Sequence, residues 1–128
     1  MTTQSEPYAG SRRRVVVATG EPAIARIISH KLSREGHDVR VVASRQALDE
    51  VLAALETDVA LVDLLLVGPG ADRIAQSVTT GWLAIVDGRQ PQLADRAMHA
   101  GAAGLVRTPF KPTEVAAQVA TLCSLVPR

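Results

Sequence analysis

The chain has 128 residues, 47% of them hydrophobic, and a formal net charge of +1 from 14 Lys and Arg against 13 Asp and Glu. That length fits one domain able to bury its own core, and that apolar content excludes a disordered chain. The balanced charge gives no field that would draw nucleic acid or a membrane surface, and no apolar run is long enough to cross a bilayer.

Aromatic residues are only 2% of the chain, Tyr8, Trp82 and Phe110, so the core must be built from Val, Leu, Ile and Ala. The single cysteine, Cys123, excludes an internal disulfide and fits a reducing compartment, so a cytoplasmic location is expected. The first apolar run, residues 15–18, is too short for the core of a signal peptide.

Residues 1–12 are polar, with Pro7 and Gly10, and are expected to form a flexible tail ahead of one domain over residues 13–125. Arg12-Arg13-Arg14 is expected to be a solvated approach to the first strand. Arg14-Val15-Val16-Val17-Ala18 reads as a strand buried on both faces. Thr19-Gly20-Glu21-Pro22 opens a helix in which Ile24, Ile27, Ile28 and Leu32 recur at helical spacing, and Gly36 closes it. Residues 39–43 form the second strand, and Ser44 caps a helix with Ala47, Leu48, Val51, Leu52 and Leu55 on its apolar face. Residues 59–62 are the third strand, ending at Asp63. Gly68-Pro69-Gly70 then predicts a loop, and residues 71–78 a short helix.

Residues 82–86 are the fourth strand, ending at Asp87. Pro91 starts a helix through Leu93, Ala97 and Met98, stopped by Gly101. Leu105-Val106 is a short fifth strand, and a closing helix from Thr113 to about residue 125 turns Val115, Val119 and Leu122 inward. Leu125-Val126-Pro127-Arg128 matches the residual half of a thrombin site, which leaves residues 125–128 either as an appended remnant or as natural sequence. Strands alternating five times with helices predict an α/β fold: a parallel sheet with helices on both faces and right-handed crossovers. Sites in such sheets lie at the carboxyl ends of the strands, where Thr19, Asp63 and Asp87 fall.

Other chemistries find no residues here. His30, His37 and His99 lie at no metal-ligand spacing and read as surface histidines. There is no Gly-x-Gly-x-x-Gly after the first strand, no P-loop lysine beside the glycine cluster, and no Gly-x-Ser-x-Gly elbow.

Three segments carry a family resemblance: residues 13–26 around Arg13-Arg14-Val-Val-Val-Ala-Thr-Gly-Glu21-Pro22, residues 59–64 around Asp63, and residues 97–110 around Gly101, Gly104, Thr108, Pro109 and Phe110. Together they resemble bacterial response-regulator receiver domains across residues 13–125. The resemblance implies a flavodoxin-like (βα)5 sandwich with strand order 2-1-3-4-5, an order for which a receiver protein is itself a standard example. It implies that Asp63 stands where a histidine kinase's phosphoryl group is accepted. The acidic pair that holds Mg²⁺ in the family is replaced by Thr19 and Gly20, the hydroxyl residue by Asp87, the lysine by Thr108, and the aromatic switch residue by Leu105. The segment between Asp63 and Asp87 is also shortened, and the bond between Thr108 and Pro109 is expected to be cis, as in the family.

These replacements all oppose phosphorylation. Phosphoryl transfer needs its spreading charge neutralised, and Mg²⁺ needs carboxylate oxygens. If Asp87 faced a phosphoryl group on Asp63, two unit charges ~4 Å apart at an effective dielectric of ~20 would repel by about 4 kcal/mol. Like-charge proximity would then raise the pKa of one carboxyl. The expected function is therefore a degenerate, non-enzymatic receiver acting through protein contacts without a cofactor. Its partner would be a histidine kinase or output protein, and its partner or homodimer surface the fourth helix, fifth strand and fifth helix. Two alternatives stand beside it. One is a conventional receiver phosphorylated on Asp63, with Mg²⁺ held by Glu21, Asp63 and Asp87. The other is a small-molecule sensor using the space at Thr19, Gly20 and Thr108.

Overall fold

The computed structural model describes residues 12–125. The expected tail, except Arg12, and the last three residues of the thrombin-like sequence lie outside the described residues. Five strands form one parallel sheet in the order β2-β1-β3-β4-β5. They are β1 (Arg14–Ala18), β2 (Asp38–Val42), β3 (Val59–Asp63), β4 (Gly81–Asp87) and β5 (Gly104–Thr108). Helices α1 (Pro22–Arg34), α2 (Arg45–Ala54), α4 (Pro91–His99) and α5 (Pro112–Ser124) link and close them. Between β3 and β4 the chain makes a broken helical stretch: α3a (Leu64–Val67), a 3₁₀ helix (Gly68–Arg73) and α3b (Ile74–Ser77). The strand order and layers are those expected from the element pattern and the resemblance.

The pleat sorts the core into two halves, because alternate side chains on a strand face opposite ways. Val15 and Val17 join Ile28, Leu32, Val115 and Val119 under α1 and α5. Val16 and Ala18 join Leu48, Ile74, Trp82, Leu93 and Ala97 under α2, α3b and α4. Ile28 and Leu48 are almost fully buried, and each such side chain is worth about 1.5–3 kcal/mol. Trp82 is also fully buried, and its indole Nε1–H has no hydrogen-bond partner among the described residues.

Local signals act where the sequence placed them. Ser44 caps α2, its hydroxyl accepting the Ala47 N–H at 3.1 Å. Pro22 and Pro91 each occupy a first helical turn, where a missing N–H leaves nothing unpaired; Pro112 does the same, so the closing helix begins there and not at Thr113. Gly36 and Gly101 take φ of +97° and +98° as α1 and α4 end, a region that suits glycine. The Thr108–Pro109 bond is cis, as the resemblance implies.

Several expectations are corrected. The second strand begins one residue earlier, at Asp38, and the fifth extends over Gly104–Thr108. The expected loop at Gly68-Pro69-Gly70 is the start of the 3₁₀ helix, and the expected helix over residues 71–78 is split by it. The Arg45 guanidinium lies where a Cβ on Gly70 would stand and donates to the Val67 carbonyl at 2.9 Å, so α2 pins this tight turn. Ile27 and Leu55, placed on apolar helix faces, are exposed, as is Met98. In each case the neighbouring position one or three residues away carries the contact instead.

The largest departure lies at the amino ends of the strands. Arg13 is not solvated; it is 3% exposed and donates through Nη2 to the Cys123 carbonyl of α5 at 3.4 Å. Asp58, also 3% exposed, accepts the Arg14 N–H at 2.9 Å and the Thr79 hydroxyl at 2.7 Å. His37, expected on the surface, is half-buried, and its Nδ1 accepts the Arg13 N–H at 3.2 Å. Burial pulls its pKa below the ordinary value of 6.5, with Glu35 opposing that shift and Arg13 adding to it.

Candidate functional site

The sheet order reverses direction between β1 and β3, so the crevice at their carboxyl ends is where such a fold accommodates a ligand. Thr19 follows β1 and is 2% exposed. Its N–H donates to the Val42 carbonyl of β2 at 3.1 Å, which fixes the hydroxyl at the crevice. That hydroxyl donates to Asp63 Oδ2 at 3.3 Å and accepts the Glu21 N–H at 3.2 Å. Asp63, the last residue of β3, also accepts the Leu65 N–H through Oδ1 at 3.1 Å and so caps α3a. Both oxygens of Asp63 are therefore engaged, one by β1 and one by its own chain.

Glu21 is exposed at the N-cap of α1 and makes no side-chain capping bond there. Gly20 is exposed beside it, and a Cβ at Gly20 would meet no described atom within 4 Å. Thr108 donates its hydroxyl to the Val86 carbonyl at 3.5 Å, toward β4. Leu105 is half-buried against the core half under α4.

Asp87 does not form the like-charge pair with Asp63 that the sequence suggested. Its Oδ1 accepts the Arg89 N–H at 2.9 Å and Nε at 3.2 Å, and its Oδ2 accepts Arg89 Nη2 at 3.1 Å and Gln90 Nε2 at 3.4 Å. The side-chain hydrogen bonds from Arg89, then its backbone N–H, pull the Asp87 pKa down to about 2. The condition for an upward shift, both carboxyls facing one pocket, is not met, because the turn after β4 supplies Asp87 with its own cation. Gly88 makes that turn possible: its N–H donates to the Thr108 carbonyl at 3.0 Å, and a Cβ there would stand 2.7 Å from the same oxygen. Arg89 and Gly88 were missed from the sequence, although Asp-Gly after a strand is a turn signal and an Asp side chain commonly bonds the N–H two residues on.

The crevice thus gathers one carboxylate, Asp63, and the Thr19 hydroxyl, with the Asp87–Arg89 pair on the neighbouring strand. Among the described residues no three His, Cys, Asp or Glu side chains are grouped to hold a metal ion. The alternative of Glu21, Asp63 and Asp87 as a shared Mg²⁺ site is not met, since Asp87 is turned onto Arg89. A hard dication wants several carboxylate or carbonyl oxygens in octahedral array, and this donor set does not fit it.

No family model and no curated protein matches the chain. Solved structures do. A response-regulator receiver domain of Francisella matches with TM-score 0.78 and 18% identity over 89% of this chain and 98% of its own. A chemotaxis response regulator of Vibrio cholerae matches with TM-score 0.74 and 22% identity over 87% and 98%. Full-length FixJ from B. japonicum matches with TM-score 0.78 and 20% identity over 88% of this chain and 58% of that one. The fold is therefore the response-regulator receiver fold, shared at identities that carry the architecture alone.

Proposed function

We propose that this chain is a receiver-type signalling module that works through protein contacts, with no phosphoryl group on Asp63. One observation supports the reading above the others: the residue that meets Asp63 from β1 is a threonine hydroxyl, at 3.3 Å, where a phosphoryl site needs a metal-binding carboxylate. Two more act in the same direction. Asp63 already caps α3a, and the Thr108 hydroxyl at the usual lysine position carries no charge to neutralise a phosphoryl oxygen.

Under this reading Asp63 is an inherited structural cap, and Thr19, Gly20, Glu21, Asp87, Thr108 and Pro109 frame a crevice without transfer chemistry. Leu105 replaces the aromatic switch, so no ring toggles between buried and exposed positions. Signalling falls to a partner, a kinase or an output protein, on the face formed by α4, β5 and α5. Under this reading Met98, exposed on α4, offers the partner an apolar contact.

The test adds beryllofluoride and Mg²⁺ to the protein and follows amide NMR shifts near Asp63, Asp87 and Leu105, with Asp63→Asn as control. No shift at millimolar reagent is the expected result. Saturable, Mg²⁺-dependent shifts absent from the control would restore Asp63 as a phosphoryl acceptor.

A further inference from the structure

We propose that His37 is an acid-sensitive latch that holds the edge strand β2 against β1, and that protonating its imidazole frees the amino end of β2. Among the described residues the strand has a neighbour on one side only, β1. At its amino end both backbone groups of Arg13 are held from this turn. The Arg13 N–H donates to His37 Nδ1 at 3.2 Å, and the Arg13 carbonyl accepts the Asp38 N–H at 2.9 Å. The His37 N–H in turn donates to the Leu32 carbonyl of α1 at 3.2 Å, across the turn made by Gly36 at positive φ. The backbone that carries the ring is therefore anchored to the end of α1.

A backbone N–H is a donor at every pH, so the bond requires a lone pair on Nδ1, and the neutral ring carries its proton on Nε2. A second proton on Nδ1 places a donor against a donor. It also sets a cation beside the Arg13 guanidinium, which is itself buried under the Cys123 carbonyl of α5. The charged groups at this corner come from four elements. Glu35, after α1, favours the imidazolium, while Arg13, before β1, opposes it; burial opposes it most. Asp38 begins β2 next to the ring, and Asp58, before β3, is engaged on the far side of β1 by the Arg14 N–H and Thr79. Because the closed form resists the proton, the opened form takes it up first, and falling pH favours opening. His30 and His99 are exposed and make no bond to a strand among the described residues, so they do not share the effect.

The experiment is amide hydrogen exchange by NMR on the full chain between about pH 7.5 and about pH 5.5, a window that spans imidazole titration. Rates are read as protection factors, corrected for intrinsic exchange. Protection at Arg13 and Asp38 is expected to fall by about tenfold relative to Leu61 in the central strand, the equivalent of one pKa unit. In His37→Asn, whose side-chain oxygen can accept the same N–H without titrating, the fall should vanish. Unchanged protection in the natural chain, or an equal fall in His37→Asn, would overturn the proposal. Ring ¹⁵N shifts of the natural chain decide independently of that variant's folding. An Nε2–H neutral tautomer that titrates together with Arg13 protection supports the latch, and a doubly protonated ring with Arg13 protection intact defeats it.

Discussion

At the amino ends of the strands, Arg13 and Asp58 are each 3% exposed and joined to backbone and side-chain partners on neighbouring elements. At the carboxyl ends, Asp63, Asp87 and Thr108 are half-exposed, and Glu21 is exposed. In an α/β sheet the ligand-facing end is the carboxyl end, and buried charge there is normally arranged for chemistry. Here the buried charge has gone to the other end, where it fastens strands together. The open end keeps carboxylates that are satisfied locally, by a cap on one side and a turn arginine on the other. The contrast teaches that a crevice in the right place does not make a reactive site, and that where a chain buries its ions tells which end is structural.

Substitutions at four positions test that contrast, the largest effect first. Asp58→Ala strips the acceptor from the Arg14 N–H and the Thr79 hydroxyl in a buried setting, and is expected to cost about 2–4 kcal/mol in urea unfolding. A loss as small as that of a surface change would break the assignment of the amino end as structural. Gly88→Ala forces a Cβ against the Thr108 carbonyl and is expected to cost about 1–3 kcal/mol, with amide shifts confined to the β4 and β5 ends. Asp63→Ala removes the α3a cap for about 1 kcal/mol, whereas Asp63→Asn, which still accepts a hydrogen bond, should stay within about 0.5 kcal/mol. A stabilising Asp63→Asn would instead mark Asp63 as a carboxylate held in strain for function.

The smallest effect concerns Asp87 and is read in its titration. Its folded pKa of about 2 lies below the ordinary 3.8, so the unfolded chain binds the proton first. The pair's contribution is complete above the ordinary carboxylate value and is lost as pH falls through about 2. Arg89→Ala should return the Asp87 midpoint, followed by carboxyl ¹³C shifts, toward the ordinary value with little change in stability, since the arginine is exposed. For His37 the sign is the same and the range higher. Its depressed pKa makes stability complete above about 6.5 and progressively lower as pH falls beneath it.

Much of the architecture was legible because apolar runs, prolines at helix starts and glycines at helix ends act locally. The five strands, Ser44, Gly36 and Gly101 were all readable that way. What escaped was set by tertiary partners. Nothing local distinguishes Arg13 from Arg12 or Arg14; its burial follows from α5 ending beside it. Asp58 carries no local signal, because its partners, Arg14 and Thr79, are distant in sequence. At the crevice, the positions of Thr19 and Asp63 could be read from strand ends, and the structure joins them. The orientation of Asp87 could not, since it depends on the arginine two residues later winning over a pocket the strand end points toward.

Trp82 is the chain's only tryptophan, and it belongs wholly to the core half under α2, α3b and α4. Its emission therefore reports on one side of the sheet and is blind to the packing of α1 and α5 on the other. Far-ultraviolet dichroism sees helices on both sides. If the two signals trace one curve through denaturant, the halves melt as a unit; if the indole reddens first, the sheet's two faces are separate thermodynamic bodies sharing one set of strands.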